Sequence, residues 1–242
     1  MRTGIDAGIV GWMKDAMRES GASGFVVGMS GGLDSSVVAV LAARAAGSSV
    51  MGVIMPCHSV RGDMEDAAAV AKKYGIRTET VDMTPVFETL KSALGGNSDG
   101  VSGGNLKARL RMTVLYYFAN TRNYLVAGTG NKSELYMGYF TKYGDGGADI
   151  LPLADLLKTE VRELAGLLGV PEGIIKKPPS AGLWEGQTDE EEMGITYTEL
   201  DGIITAIEKG EPPDGDKAGE VIRRMKASRH KCMPARCFKY KE

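Results

Sequence analysis

Apolar positions near the start of the chain recur at helical spacing. Ile5, Ile9, Trp12, Met13 and Ala16 share one stripe, and Gly21 ends it. Short apolar runs then alternate with helical stretches. FVVGM (25–29) predicts a buried strand and 34–46 a helix closed by Gly47. VMGVIM (50–55) predicts a second strand ending at Pro56, and 63–74 a helix opened by Asp63 and stopped by Gly75. RTETVDM (77–83) alternates like a strand, and Thr84-Pro85 places a capping hydroxyl before a helix-starting proline. A glycine-rich loop is expected at 95–104, a helix over 105–121, and a buried strand at YLVAGT (124–129). Strands apolar on both faces, alternating with helices, predict an α/β fold: a doubly wound parallel sheet with helices on both faces.

Farther along, ILPLADLLKTEVRELAGLLG (150–169) begins like a short strand and continues as an amphipathic helix ended by Gly169. Pro171 opens a short helix and Pro178-Pro179 a loop. Acids outnumber bases between Glu185 and Glu220, whereas Arg223 to Lys241 contains lysines and arginines and no acid. Charge alone makes that basic tail a solvated helix face. There is no internal repeat and no low-complexity tract, so 1–242 is read as a single domain.

Composition narrows the class. In 242 residues, 29 lysines and arginines nearly balance 31 acids, a formal charge of −2 that argues against a dedicated nucleic-acid binder. Hydrophobic residues at 43% and charged residues at 25% exclude wholesale disorder. Cys57, Cys232 and Cys237 make neither a disulfide framework nor a CxxC pair, which favours a reducing compartment. No apolar run approaches a membrane span. Asp6, Lys14 and Asp15 interrupt any signal-peptide core. A cytoplasmic protein is expected.

The densest chemistry is SGGLDSS (30–36), between the first predicted strand and the helix after it. There the amides of the glycine turn and the helix amino-terminus point at one spot, an anion site favoured by the helix dipole. Gly31 and Gly32 let backbone approach phosphate oxygens, and Ser30, Ser35 and Ser36 bring hydroxyl donors. Asp34 suits an anion site only with a cation between it and the phosphates. GxxxxGK[ST] is absent, so this is not a Walker A loop.

SGGLDSS resembles the pyrophosphate loop of ATP pyrophosphatases, a superfamily that includes NAD synthetase, GMP synthetase and tRNA-thiolating enzymes. The loop alone does not choose among them. GNLKARLRM (104–112), GTGNKSE (128–134), GYFTKYGDGGADILPLADLLKTEVREL (138–164) and PPSAGLWEGQTDEEEMG (178–194) together resemble ammonia-dependent NAD synthetases, from about Gly28 to Lys231. The resemblance implies an adenine nucleotide α-hydrolase-like fold, a homodimer with substrate at the subunit boundary, and a ligase. That ligase converts deamido-NAD to NAD with ATP, ammonia and magnesium through an acyl adenylate, releasing AMP and pyrophosphate.

Residue by residue, the resemblance places ATP on Gly28, Met29, Ser30, Gly31, Gly32, Leu33, Asp34 and Ser35, with Thr129, Lys158 and Ser180. It gives magnesium to Asp34 and Glu134, and to Lys158 the charge on departing pyrophosphate. Deamido-NAD falls to Arg109, Lys142, Asp149, His230 and Lys231. Arg111 is the nearest alternative to Arg109, and Cys232 stands where the family commonly has another basic residue. The glycines of TKYGDGGAD (141–149) suggest a closing lid, with Asp145 a candidate to position or deprotonate ammonium. Read alone, Glu134 and Lys158 are exposed helix residues, Arg109 lies on a polar helix face, and Ser180 is a loop serine. His58 and Cys57 read as structural, and Trp12 and Met17 as part of a core or interface stripe.

Two competing classes remain. A tRNA-thiolating enzyme lacks support because paired catalytic cysteines and a strongly basic surface are missing. A nucleotide-binding protein without catalysis would be expected to lack Asp34, Glu134 or Lys158, and all three are present. No glutaminase domain fits in this length, so free ammonia or a partner is expected to supply nitrogen.

Overall fold

The computed structural model describes residues 4–96, 100–180, 182 and 186–240. Four parallel strands, β1 (Phe25–Gly28), β2 (Val50–Ile54), β3 (Arg77–Thr80) and β4 (Leu125–Val126), form a sheet in the order β3-β2-β1-β4. Phe25 pairs with Val50 on one side and Leu125 on the other. α1 (Ile5–Ser20) precedes them, and between them run α2 (Leu33–Ala46), α3 (Arg61–Tyr74), α4 (Thr84–Ala93) and α5 (Gly100–Arg122). After β4 come α6 (Lys132–Met137), α7 (Lys158–Leu168), α8 (Glu172–Lys176), α9 (Asp189–Met193), α10 (Tyr197–Lys209) and α11 (Ala218–Ser228), then a 3₁₀ turn, Arg229–Lys231.

Strand periodicity explains the layers, because successive side chains point to opposite faces. Phe25, Val27, Val50 and Ile54 face one core with Val37 and Leu41 of α2 and Leu164 of α7. Val26, Met51 and Val53 face a second core with Phe87 of α4 and Leu110 and Leu115 of α5. Both faces are therefore covered, as the apolar runs predict. A third cluster, built on Met137, Met193, Tyr197, Leu200 and Ile204, stacks α6, α9, α10 and α11 into an appended layer.

Several expectations shift. β3 stops at Thr80 and all four of its residues are exposed, a short charged edge rather than a strand to residue 83. Thr84 is the first helical residue of α4, and the Asp82 carboxylate rather than the Thr84 hydroxyl accepts its N–H, at 2.9 Å. Helix α5 starts at Gly100, inside the expected loop, because burial of Gly103 and Gly104 overrides their poor helix propensity. Residues 97–99 of that loop lie outside the described residues. The expected strand at 124–129 shortens to two residues, and the strand expected near 150 reduces to one parallel bridge, Ala127 with Ile150. In α1, Met13 is fully buried while Trp12 stays 48% exposed. Among the described residues no helix is long and apolar enough to cross a membrane.

Chain order reverses between β1 and β4: β1 leads outward to β2 and β3, whereas β4 lies on the other side. Open α/β sheets bind ligands at such a switch point, beyond the carboxyl ends of the strands.

Candidate functional site

The turn leaving β1 is held by its own hydroxyls. Ser30 N–H donates to Ser35 Oγ at 3.3 Å, and Gly32 N–H to Ser30 Oγ at 3.2 Å. Ser35 and Ser36 hydroxyls both donate to Gly32 C=O, at 3.1 and 2.8 Å. Gly31 sits at φ 79°, and a Cβ there would stand 2.0 Å from the Asp63 carbonyl oxygen. Only glycine fits that turn. Ser36 is buried, so its hydroxyl braces the loop rather than facing a ligand.

The segment leaving β4 meets it. Asn131 caps α6 and closes a capping box: Glu134 N–H donates to Asn131 Oδ1 at 3.0 Å, and Asn131 N–H to Glu134 Oε2 at 3.3 Å. The Asn131 amide then donates to Asp34 Oδ1 at 3.0 Å. Lys158, first residue of α7, reaches the same spot: its Nζ lies 2.5 Å from Asp34 Oδ2 and 3.1 Å from Glu134 Oε1. Three groups from the starts of three helices thus converge at the switch point. Burial pushes the Glu134 carboxyl up to about 7 against the pull of Lys158. Burial works against the charge on Lys158, but Asp34 and Glu134 outweigh it and hold the ammonium well above the ordinary lysine range.

The lysine is placed from behind. Its backbone N–H donates to Ser133 Oγ at 2.9 Å, and that hydroxyl donates to buried Asp201 Oδ1 at 2.5 Å. Asp201 Oδ2 accepts the Thr159 N–H at 2.9 Å and its hydroxyl at 2.8 Å. One carboxylate on α10 therefore fixes the amino-terminal turn of α7 against α6.

Asp34, Glu134 and Lys158 line a cavity of about 450 Å³. Gly28, Met29, Ser30, Gly32, Leu33, Asp34, Ser35, Thr129, Glu134, Asp145, Lys158, Ser180 and Lys231 all contribute to its wall, bringing together most of the residues singled out from sequence. Gly31 shapes the turn without lining it. Ala181 and Leu183–Glu185, inside the PSAGLWEGQTDE motif, lie outside the described residues.

The remaining predicted residues stand outside that wall. Arg109 is exposed and donates to the Lys142 carbonyl at 3.3 Å. Lys142 Nζ donates to the carbonyls of His230 at 2.8 Å and Met233 at 3.2 Å. Lys231 answers from the other strand of the clasp, donating to Gly138 O at 2.8 Å and Phe140 O at 3.0 Å. The chain after α11 is thus fastened to the 138–142 segment. Asp149 is tied to the sheet: its carboxylate accepts the Val126 N–H at 2.7 Å and the Tyr116 hydroxyl at 3.0 Å. His58, at φ 55°, packs edge-on against Phe87 beside Glu88, away from the cavity.

The 141–147 segment is a packed turn. Thr141 N–H donates to Asp145 Oδ1 at 2.8 Å, and burial pushes the Asp145 carboxyl up. Cβ atoms at Gly144, Gly146 and Gly147 would crowd Thr141, Phe140 and Met112 at 2.9, 2.5 and 3.0 Å. Close packing, and not freedom of movement, accounts for those glycines.

Five residues at the site were not assigned to it from sequence. Asn131 and Asp201 act through partners remote in sequence, although Asn131–Glu134 carries a capping-box spacing, and Asp189 lines the cavity wall. Arg111, set aside for Arg109, is the arginine that lines the cavity, donating to Met55 O at 3.1 Å. Lys177 bridges Asp63 at 2.6 Å and Asp66 at 2.7 Å beside the turn.

A family model described as NAD synthase matches residues 6–235. An NH3-dependent NAD+ synthetase of Archaeoglobus fulgidus is 51% identical over 226 residues, covering 92% of this chain and 91% of that protein. The structure of an NMN synthetase from Francisella tularensis superposes with a TM-score of 0.91 at 41% identity, covering 98% of both chains. That of an NH3-dependent NAD synthetase from Campylobacter jejuni has a TM-score of 0.86 at 28% identity, covering 99% of this chain and 100% of the other. With the switch-point cavity and this match along nearly its whole length, the chain belongs to the NAD synthase family.

Proposed function

We propose that the protein is an ammonia-dependent ligase that amidates the nicotinate carboxylate of deamido-NAD at the expense of ATP. The observation that carries this reading is the convergence of Asp34, Glu134 and Lys158 beside the glycine turn of β1. Family membership and the names of the relatives agree with it.

A carboxylate resists nucleophiles because it is already negative. Attack of its oxygen on the α-phosphorus of ATP forms an acyl adenylate and expels pyrophosphate; ammonia then attacks the acyl carbon and AMP leaves. The 28–35 segment, Thr129 and Ser180 bind ATP, with the turn amides on its β and γ phosphates. Asp34 and Glu134 fit a hard divalent ion: both carboxylates already converge on one cationic group, the Lys158 ammonium. They would hold magnesium, which neutralises the phosphates and the leaving pyrophosphate. Lys158, ionised throughout the physiological range, moves from the carboxylates to phosphate oxygen as charge develops there. Asp145 faces ammonia from the cavity wall.

Arg109, Lys142, Asp149, His230 and Lys231 bind the deamido-NAD side. Four of them stand outside the cavity wall and three are joined by the Arg109–Lys142–His230 contacts, which supports a substrate extending beyond this cavity toward a second subunit. A homodimer with magnesium as cofactor in the cytoplasm completes the reading.

A second acceptor has one observation in its favour, the close superposition on a protein named NMN synthetase. The corresponding acceptor would be nicotinate mononucleotide, which carries the same carboxylate without the adenylate half. Incubation with ATP, magnesium, ammonium and each acceptor separates the two. NAD, AMP and pyrophosphate should appear in equal amounts with deamido-NAD at the higher kcat/KM. A preference for the mononucleotide would reassign the acceptor, and formation of ADP would refute the adenylation chemistry.

A further inference from the structure

One ion-pair cluster beside the nucleotide turn has no part in the reaction described above. Lys177 Nζ donates to Asp63 Oδ1 at 2.6 Å and to Asp66 Oδ2 at 2.7 Å, joining the end of α8 to the start of α3. Burial works against the Lys177 charge, but its hydrogen bonds to the two aspartates outweigh it and hold the ammonium above the ordinary lysine range. The neighbouring Lys176 pairs with Glu172 one helical turn away, on the exposed surface. Exposed pairs of that kind contribute little, whereas the Lys177 bridge ties two distant elements together at the cavity wall.

The bridge lies between two parts of the ATP site proposed above. On one side Asp63 packs against the β1 turn, its carbonyl oxygen filling the space that a Cβ on Gly31 would need. On the other, Lys177 leaves α8 at φ −62° and ψ 134° and leads directly into Pro178 and Pro179. A residue before proline favours this extended backbone and each proline fixes its own φ, so little freedom remains before Ser180. The same strut is tied farther along, because Pro179 C=O accepts the Asp189 N–H at 2.9 Å. Ser180 Oγ accepts the Gly182 N–H at 3.1 Å, which leaves its O–H to donate to a phosphate. Asp63, Lys177, Pro178, Pro179 and Ser180 all line the cavity. Lys158 is also held by two carboxylates, but the magnesium proposed there would compete for them; no cation is assigned to Asp63 and Asp66, so Lys177 stays in place.

We propose that Lys177 is a positioning residue whose bridge to Asp63 and Asp66 holds Ser180 against the nucleotide turn and so sets the affinity for ATP, an inference that rests on the assignment of ATP to that turn. Isothermal titration with magnesium and ATP, without acceptor or ammonium, tests it in wild type, Lys177→Met, Ser180→Ala and the double variant. Lys177→Met and Ser180→Ala should each raise the ATP Kd by about 10-fold, the size of a lost hydrogen bond to a charged group. The double variant should bind ATP no more weakly than Lys177→Met, because a serine no longer held in place has no contact left to lose. Lys177→Arg, which can bridge both carboxylates, should recover most of the affinity, and Lys176→Met should bind like wild type.

Penalties that multiply in the double variant would overturn the inference, since they mark independent effects such as direct contact of Lys177 with phosphate or repulsion from the bared aspartates. An unchanged ATP Kd in folded Lys177→Met would overturn it as well. A general loss of stability would lower the melting temperature of Lys177→Met without making the two penalties redundant. Wild type that does not bind ATP would refute the nucleotide site and the bridge's role together, whereas ATP binding with multiplied penalties refutes the bridge's role alone.

Discussion

Asp34, Glu134 and Lys158 form a charge triplet in which two carboxylates hold one lysine. Asp34→Ala removes a carboxylate from the proposed metal position and a partner of Lys158 at once; adenylation, followed by ATP–pyrophosphate exchange, should fall at least about 100-fold. Lys158→Met should lower kcat by a similar factor with a smaller change in the KM for ATP, since its charge matters most as pyrophosphate departs. The Glu134 carboxyl, held near 7 by burial, gives a pH signature. Its ionised form is the one that binds a cation, so kcat/KM for ATP should decline as pH drops through about 7, with the slope of one proton. Stability runs the other way. A carboxyl raised above its ordinary value of 4.5 stabilises the fold fully below that pH and loses the contribution as pH rises through about 7. Differential scanning calorimetry should therefore show wild type losing stability relative to Glu134→Gln between those limits.

The helices that carry these side chains are positioned by contacts of different legibility. SGGLDSS could be read directly because strand, turn and helix start are contiguous, and the brace of Ser30, Ser35 and Gly32 lies within that segment. Gly31→Ala should test the turn: a positive φ and the Asp63 carbonyl at 2.0 Å both oppose a side chain. A cost of about 1–3 kcal/mol in denaturant unfolding is expected for the backbone strain alone, together with weakened ATP binding. The network behind Lys158 could not be read, because Ser133 and Asp201 are 68 residues apart and no local pattern marks the pair. Asp201→Ala would leave Ser133 and the start of α7 without their shared acceptor. It should lower stability by about 1–3 kcal/mol and reduce kcat more than the KM for ATP. Helix α5 shows a local rule overruled, since glycines that read as a loop are buried within its first turns.

At the scale of the molecule, alternating apolar strands and helices specified the doubly wound sheet, and the order β3-β2-β1-β4 turned two distant loops into one site. Sequence pattern alone did not reveal which predicted residues share a cavity: Arg109, Lys142, Asp149 and His230 stand outside its wall, and Arg111 stands in it. With glutamine as the sole nitrogen source the purified chain should show less than about 1% of its ammonium-supported rate, since free amide nitrogen is a poor nucleophile without a dedicated hydrolytic site. Comparable rates from the two sources would contradict the proposed use of free ammonia.

The adenylation step itself leaves a label. Deamido-NAD carrying ¹⁸O in its nicotinate carboxylate should pass one of those oxygens to AMP, because the bond formed to the α-phosphorus is retained when ammonia displaces the acyl group. Mass spectrometry of AMP after turnover with ATP, magnesium and ammonium should find one ¹⁸O per AMP formed. Unlabelled AMP, or label appearing in inorganic phosphate, would contradict the account.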